Sequence, residues 1–435
     1  MLRTTSLIPA LTNDPPASSP TAVLQRPRAS GMARIESLDL ARLLAILGMM
    51  ASHLLVPVTM SRGGPAWQML SARIASVLAE GTSATLFAVI GGCSMVLASR
   101  QRLAQGDRVG AVRSAVTRGA LVVVIGLALG FVPTWVTVVL VPFGVGMMLT
   151  APLLLCSSRI LLAVAALLTA VGGWLNATVR SRLDVVQEIG NVTPLDVAQP
   201  FTLLRGLALT GMYPLITWLP FLLLGVVLMR SLLGAITEGR TRRWATIASC
   251  IGAGVAALAY GASAVTRSWA LGQGVDRMLL DLHGFGAPVR RDPWVQLLAS
   301  PHTGSIADMV ATAGVAVAVI GLLTLMVPPT RQLTRTLPRA LRSAGAAPLS
   351  IYTLHVLLTG VAMMLALVLA GPDAFEAAPW YVAGIGILAI HLVIVLGVGA
   401  LLSARGSRGP LEALVSGIAR RAGGPRTRPT TPRRS

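Results

Sequence analysis

The stretch Ser37–His53, SLDLARLLAILGMMASH, puts an acid, a base and a histidine on one apolar run. Asp39 and Arg42 are three residues apart and share a helix face near its start. They read either as an acidic helix start with an interface-anchoring arginine, or as a fixed ion pair lining a cavity where Arg42 receives a phosphate. His53 follows about 22 Å beyond Leu38 at the helical rise. Imidazole exchanges a proton near neutral pH, which suits general-base or nucleophile work. His355 and His391 also fall inside apolar runs, and His302 stands at the mouth of another. Ionisable groups in a bilayer are costly and are functional suspects. His391, flanked by Ile390 and Leu392, reads instead as a neutral imidazole bonded to a neighbouring helix. The candidate catalytic set is therefore His53, His302 and His355.

Three other motifs supply candidate binding residues. Thr210–Pro220 places Gly211, Tyr213, Pro214, Trp218 and Pro220 inside one apolar run. Each proline removes a backbone donor, and broken helix at membrane depth survives only against protein or water. This marks a cavity wall, with Tyr213 and Trp218 as candidates to touch substrate. In Pro301-His302-Thr303-Gly304, Thr303 or Ser305 can cap the next helix. Tyr352 and His355 are three apart after Pro348-Leu349-Ser350, on one face, and read as jointly holding one polar group. The substrate-binding candidates are Asp39, Arg42, Tyr213, Trp218 and Tyr352. No phosphate-binding P-loop, dinucleotide glycine fingerprint, zinc-protease HExxH or GxSxG elbow is present.

The elements that must position these residues are membrane helices. The chain has 435 residues, 54% hydrophobic and 12% charged, with a mean hydropathy of +0.74. A soluble protein carries about twice that charged fraction. The fold class is all-α, a polytopic helical bundle. All the basic residues are arginine and none is lysine, which excludes lysine Schiff-base chemistry. With heavy alanine and glycine use, it points to a GC-rich bacterial source. The net charge of +20 sits in short loops and tails between apolar runs. That is topology-setting charge rather than a nucleic-acid surface. Cys93, Cys156 and Cys250 lie far apart and read as packing thiols, with no metal site.

Ten spans are expected, at about 38–58, 81–98, 113–131, 135–155, 158–175, 201–229, 244–265, 306–327, 346–370 and 380–403, each near the roughly 20 residues that cross a bilayer. Residues 131–134 read as a tight turn. The partly amphipathic run Trp67–Ala79 is left outside the core. The arginine-rich loops at 100–118, 230–243 and 331–342 alternate with the mixed or acidic loops at 176–200, 266–305 and 371–379. This places both termini in the cytoplasm. Residues 1–33 read as a disordered cytoplasmic tail, 34–403 as the transmembrane domain and 404–435 as a basic cytoplasmic tail.

Arg34 through His53 resembles the opening of heparan-alpha-glucosaminide N-acetyltransferase-like membrane proteins and their bacterial relatives, which begin with an arginine, Ser-Leu-Asp, Arg-Gly and an apolar run. Leu43 stands here where those have the glycine. Leu86-Phe87 with Gly91-Gly92, Thr210 through Trp218, Pro301 to Gly304, Pro348 to Tyr352 with His355, and Gly409-Pro410-Leu411-Glu412 are similar to later signatures of the bacterial branch, in order. The resemblance implies a multi-pass acyltransferase. It would take acetyl from cytoplasmic acetyl-coenzyme A and pass it to a sugar or other hydroxyl or amine at the far face. A histidine near the far end of the opening helix is implicated in the eukaryotic enzyme, and His53 stands somewhat earlier. The expected partners are the lipid bilayer, the acyl donor and an acceptor. The expected location is the cell membrane, and a homo-oligomer is left open. The alternative is a proton-coupled transporter, with the histidines as relay and the broken span as substrate site.

Overall fold

A computed structural model describes residues 34–60, 65–281, 284–288, 290–371 and 379–425. The expected N-terminal tail, His283 and the acidic positions Asp373 and Glu376 lie outside these. Contacts divide the chain into Met1–Arg34 and Ile35–Ser435; the second unit holds everything that follows.

The helices are α1 (Glu36–Leu55), α2 (Ala66–Ala79), α3 (Thr82–Ala104), α4 (Arg108–Leu129), α5 (Leu140–Leu153), α6 (Ser158–Leu183), α7 (Pro200–Arg205), α8 (Leu215–Thr237), α9 (Thr241–Gly272), α10 (Arg277–Asp281), α11 (Ile306–Met326), α12 (Thr336–Gly345), α13 (Pro348–Ala370), α14 (Ile385–Ala404) and α15 (Pro410–Ala422). Among the described residues, nine helical segments are long and apolar enough to cross a membrane. The shorter apolar helix α5 falls within the expected fourth span. The chain is an all-α polytopic membrane protein. Short polar side chains set several starts. Asp107 accepts from Gly110 N before α4, Ser157 from Ile160 N before α6, and Ser305 from Asp308 N before α11.

α1 runs through the core, packed on α3, α11, α12, α2 and α14. α3 and α8 pack backbone to backbone. A Cβ on Gly92 would stand 2.0 Å from the Leu222 carbonyl oxygen, and one on Gly225 would stand 1.9 Å from that of Val89. Small residues at such crossings let helices approach closely where lipid offers no hydrophobic drive.

Four departures from the expected spans matter for the site. First, Trp67–Ala79 is not detached: α2 leads straight into α3 as one broken crossing. The break is at Glu80, extended at ψ 131°, and Gly81, at φ +73°, a conformation that favours glycine. Second, the fourth span is short because Val132–Val139 is irregular rather than helical. Asn191 Oδ1 accepts from Val138 N at 2.7 Å, and its Nδ2 donates to Val136 O at 3.0 Å. Third, α6 continues to Leu183, because Asn176 and Arg180 on it are buried among backbone carbonyls. Fourth, the basic segment after Ala404 contains α15, packed on α4 and α13. Glu412 accepts from Leu349 N at 2.6 Å and Ser350 N at 3.0 Å, satisfying the start of α13. The sixth span is interrupted as expected. α7 passes into a π-helical turn, Gly206–Thr210, then an irregular link to Pro214, then α8 with Pro220 inside it.

Candidate functional site

Two cavities lie along α1, one near each end. The first, about 130 Å³, is lined by Arg42 of α1, Phe87, Ile90, Gly91 and Ser94 of α3, Arg118 of α4, Phe143 and Met147 of α5, and Glu412 of α15, among others. Arg42 donates to Asp39 Oδ1 at 2.5 Å and to Ser94 Oγ at 2.9 Å, so its fork is fixed. Arg118 donates to Ser416 Oγ at 3.4 Å. This pocket is an apolar slot with two guanidinium groups at its wall. Asp39 is buried and does not line the pocket; it holds Arg42.

The second cavity, about 250 Å³, is lined by Ser52 and His53 of α1, Glu80 and Gly81 at the α2–α3 break, Trp135 and Thr137 of the irregular stretch before α5, Met212, Tyr213, Phe285 and His302. Four irregular segments thus contribute here, as expected of backbone broken at membrane depth. Trp135 Nε1 donates to His53 O at 2.9 Å, and Tyr352 Oη accepts from Val139 N at 3.2 Å. These bonds hold the irregular stretch against α1 and α13. His302, at φ +59°, meets Tyr213 edge-on at 5.8 Å, and Tyr213 meets Trp218 edge-on at 4.8 Å.

The candidate residues therefore separate. His53, His302 and Tyr213 face one cavity. Trp218 lines a small void behind His302, with Asp308. His355 is 1% exposed and sits behind His53: its Nε2 lies 3.1 Å from His53 Nδ1, and the rings stack at 5.4 Å and 5°. The bond to His355 runs through His53 Nδ1, and His53 itself lines the cavity. Tyr352 and His355 do not hold one group between them. The tyrosine hydroxyl serves Val139 N and Thr137 O, while the imidazole serves His53.

Sequence reasoning missed three contributors. Glu80 lines both the His53 cavity and a neighbouring polar chamber of about 410 Å³ with Arg267 and Asp308. Its signal was a lone acid before a glycine in an otherwise apolar stretch. His391, read as a packing residue, meets His355 edge-on at 5.0 Å. Arg180 stands in sequence beside the mixed loop at 176–200, with Asp184 and Glu188 following it. It donates to the carbonyls of Phe285, Leu209, Gly211 and Val186 behind the cavity. Glu188 pairs with Arg205, whose guanidinium holds the carboxyl below the usual range, helped by a 2.6 Å bond from Thr210 Oγ1.

A comparison with curated proteins finds no match. The profile of the family described as "Heparan-alpha-glucosaminide N-acetyltransferase, catalytic" matches residues 34–260, just over half of the chain. That region carries Arg42, His53, Glu80, Arg118 and Tyr213; His302, His355 and His391 lie beyond it. The chain, an acetyltransferase-like multi-pass membrane protein, belongs to the heparan-alpha-glucosaminide N-acetyltransferase catalytic family.

Proposed function

We propose that the protein transfers acetyl from acetyl-coenzyme A, bound at the Arg42 end of α1, to a hydroxyl or amine acceptor in the His53 cavity. The observation that carries this is the near meeting of the two cavities. Phe87 lines one and Ala84 the other, three residues or about 4.5 Å of helical rise apart on α3. Leu140 and Thr137 repeat the relation beside them. A donor held at one side and an acceptor at the other need only a thin wall between them.

Arg42 and Arg118 suit the coenzyme's phosphates, because a guanidinium fork matches phosphate oxygens. The apolar slot past Phe87 and Ile90 suits its pantetheine arm. Arg42 and His53 are eleven residues, about 16 Å, apart along α1, so the thioester must be carried inward to react. His53 Nε2 takes the proton from the acceptor as its oxygen or nitrogen bonds to the acetyl carbon. The carbon–sulfur bond breaks and the coenzyme leaves as a thiolate that is then protonated. His302 and Tyr213 fix the acceptor beside His53. The arginine-rich loops support a cytoplasmic donor end, and the arginine-, alanine- and glycine-rich composition suits a bacterial cell membrane.

Radiolabelled acetyl-coenzyme A added to purified protein tests the reading. Saturable binding and thiol release are expected in the wild type. His53→Ala keeps the binding and loses the release by about a hundredfold or more. Absence of saturable coenzyme binding in the wild type removes the proposal.

A further inference from the structure

Two imidazole nitrogens next to the site lack a hydrogen bond of normal geometry: His355 Nδ1 and His391 Nε2, both buried. A buried polar atom left unpaired carries an uncompensated desolvation cost, so two on touching rings call for an explanation. Tyr352, the voids and the polar chamber leave these atoms unexplained.

The tautomers follow from the bonds. His391 Nδ1 lies 2.9 Å from the Ile387 carbonyl oxygen, which only accepts. The His355 backbone carbonyl also acts on this ring; the relay takes the proton on Nδ1, where the bond has normal geometry, which leaves Nε2 as a lone pair. His53 acts as a base only with Nε2 unprotonated, so its proton is on Nδ1 and is donated to His355 Nε2 at 3.1 Å. A neutral His355 then carries its own proton on Nδ1. The two orphans are thus a donor, His355 Nδ1–H, and an acceptor, His391 Nε2, on rings whose centroids are 5.0 Å apart at 75°. A modest ring rotation, or one bridging water, joins them.

We propose that His53, His355 and His391 form a proton relay, with His391 as its terminal acceptor. The inference rests on His53 being the base proposed above. As His53 Nε2 takes the acceptor's proton, its Nδ1 proton passes to His355 Nε2. The Nδ1 proton of His355 passes to His391 Nε2. Each of the first two rings gains one proton and loses one, and the positive charge ends on His391, where Ile387 O already accepts from Nδ1. The charge leaves the reacting centre without a path of bulk water through the bundle. The relay returns to its start when the hops run back, from His391 Nε2 to His355 Nδ1 and from His355 Nε2 to His53 Nδ1, as the Nε2 proton of His53 passes to the coenzyme thiolate. His355 and His391 act through His53, and so are positioning residues.

The titratable and charged groups on the elements around α14 are few. α13 offers His355. α1 offers His53, with Glu36, Asp39 and Arg42 at its other end. α12 offers Arg339 and Arg342, on a helix whose Ala340 meets Gly399, about 12 Å along α14 from His391. Tyr381 precedes α14, and His302 acts on His53 across the cavity.

The test uses the full chain in lipid nanodiscs with nitrogen-15-labelled histidine. Magnetic resonance is expected to show the Nδ1–H tautomer at His53, His355 and His391. An Nε2–H tautomer at His355 overturns the relay whether or not the protein turns over acetyl-coenzyme A. If wild-type protein releases no thiol while these tautomers hold, the acyl-transfer reading fails and the relay geometry stands. Where thiol release is seen, His391→Phe lowers kcat about tenfold to a hundredfold with KM unchanged and shifts the pH profile. His391→Gln keeps an acceptor for His355 Nδ1–H but takes no proton, so it is expected to behave as His391→Phe. Wild-type kcat and pH profile in the folded His391→Gln protein would show orientation alone and overturn the relay.

Discussion

Replacing Arg180 with alanine should weaken the whole cavity wall. The guanidinium is buried on α6 and donates to four carbonyls: Phe285 at 2.7 Å, Gly211 at 2.7 Å, Leu209 at 2.9 Å, and Val186. It ties the link after the π-turn to the loop bearing Gly284 and Phe285, both of which line the His53 cavity. Hydrogen bonds to a charged group contribute about 1.5–3 kcal/mol each. Four at the lower value give about 6 kcal/mol. Carbonyls that reach water recover part of this, so the net loss is about 3 kcal/mol. A loss of 1 kcal/mol lowers Tm by about 2–4 °C in a 150–250-residue domain and less in a longer chain. We therefore expect Arg180→Ala to lower Tm by about 3–6 °C in detergent, and to reduce thiol release while sparing coenzyme binding at the distant Arg42 pocket. Arg180→Lys keeps the charge but cannot fork across four carbonyls, and should fall between. An unchanged Tm with normal turnover in Arg180→Ala would refute the argument that these carbonyls depend on the guanidinium.

Three other outcomes follow from the same structure. Glu188 has its folded pKa held down by Arg205 and Thr210, so it stabilises the protein above its unfolded value of about 4.3, and that contribution is lost as pH falls through the lower folded value; Tm measured against pH should drop less steeply on that acid limb in Glu188→Gln than in the wild type. Gly92→Val forces a side chain against the Leu222 carbonyl, where a Cβ already stands at 2.0 Å; overpacking of about 1–3 kcal/mol or more should appear as poor yield of monodisperse protein, whereas Gly234→Ala, with open space, should purify normally. Arg42→Gln should weaken coenzyme binding measured by calorimetry by about tenfold while leaving the histidine tautomers unchanged.

Much of the fold was legible because bilayer crossing has a one-dimensional signature. Apolar length marked the nine long helical segments, the tenth expected span holding only the shorter helix α5, and the prolines at 214 and 220 marked the broken one. The site was less legible because its parts meet by helix packing, which has no period in the sequence. His391 has apolar neighbours along α14, yet its ring meets His355 of another helix. Tyr352 is three residues from His355 but points its hydroxyl at a different partner. Trp67–Ala79 looked peripheral because its run is only partly apolar and amphipathic; its role is to end at Glu80, where the crossing breaks beside the cavity. The tail after Ala404 looked like solvated charge, but its lone glutamate caps α13.

The central claim is that acetyl passes along α1 between its two ends. Protein reconstituted in sealed vesicles in one orientation, with radiolabelled acetyl-coenzyme A supplied only at the arginine-rich face, tests it most directly. The account predicts acetyl on an amine or hydroxyl acceptor, such as glucosamine, enclosed at the opposite face, in wild-type but not His53→Ala vesicles. Acetyl appearing only on acceptor at the donor's own face, or equally in His53→Ala, would contradict it.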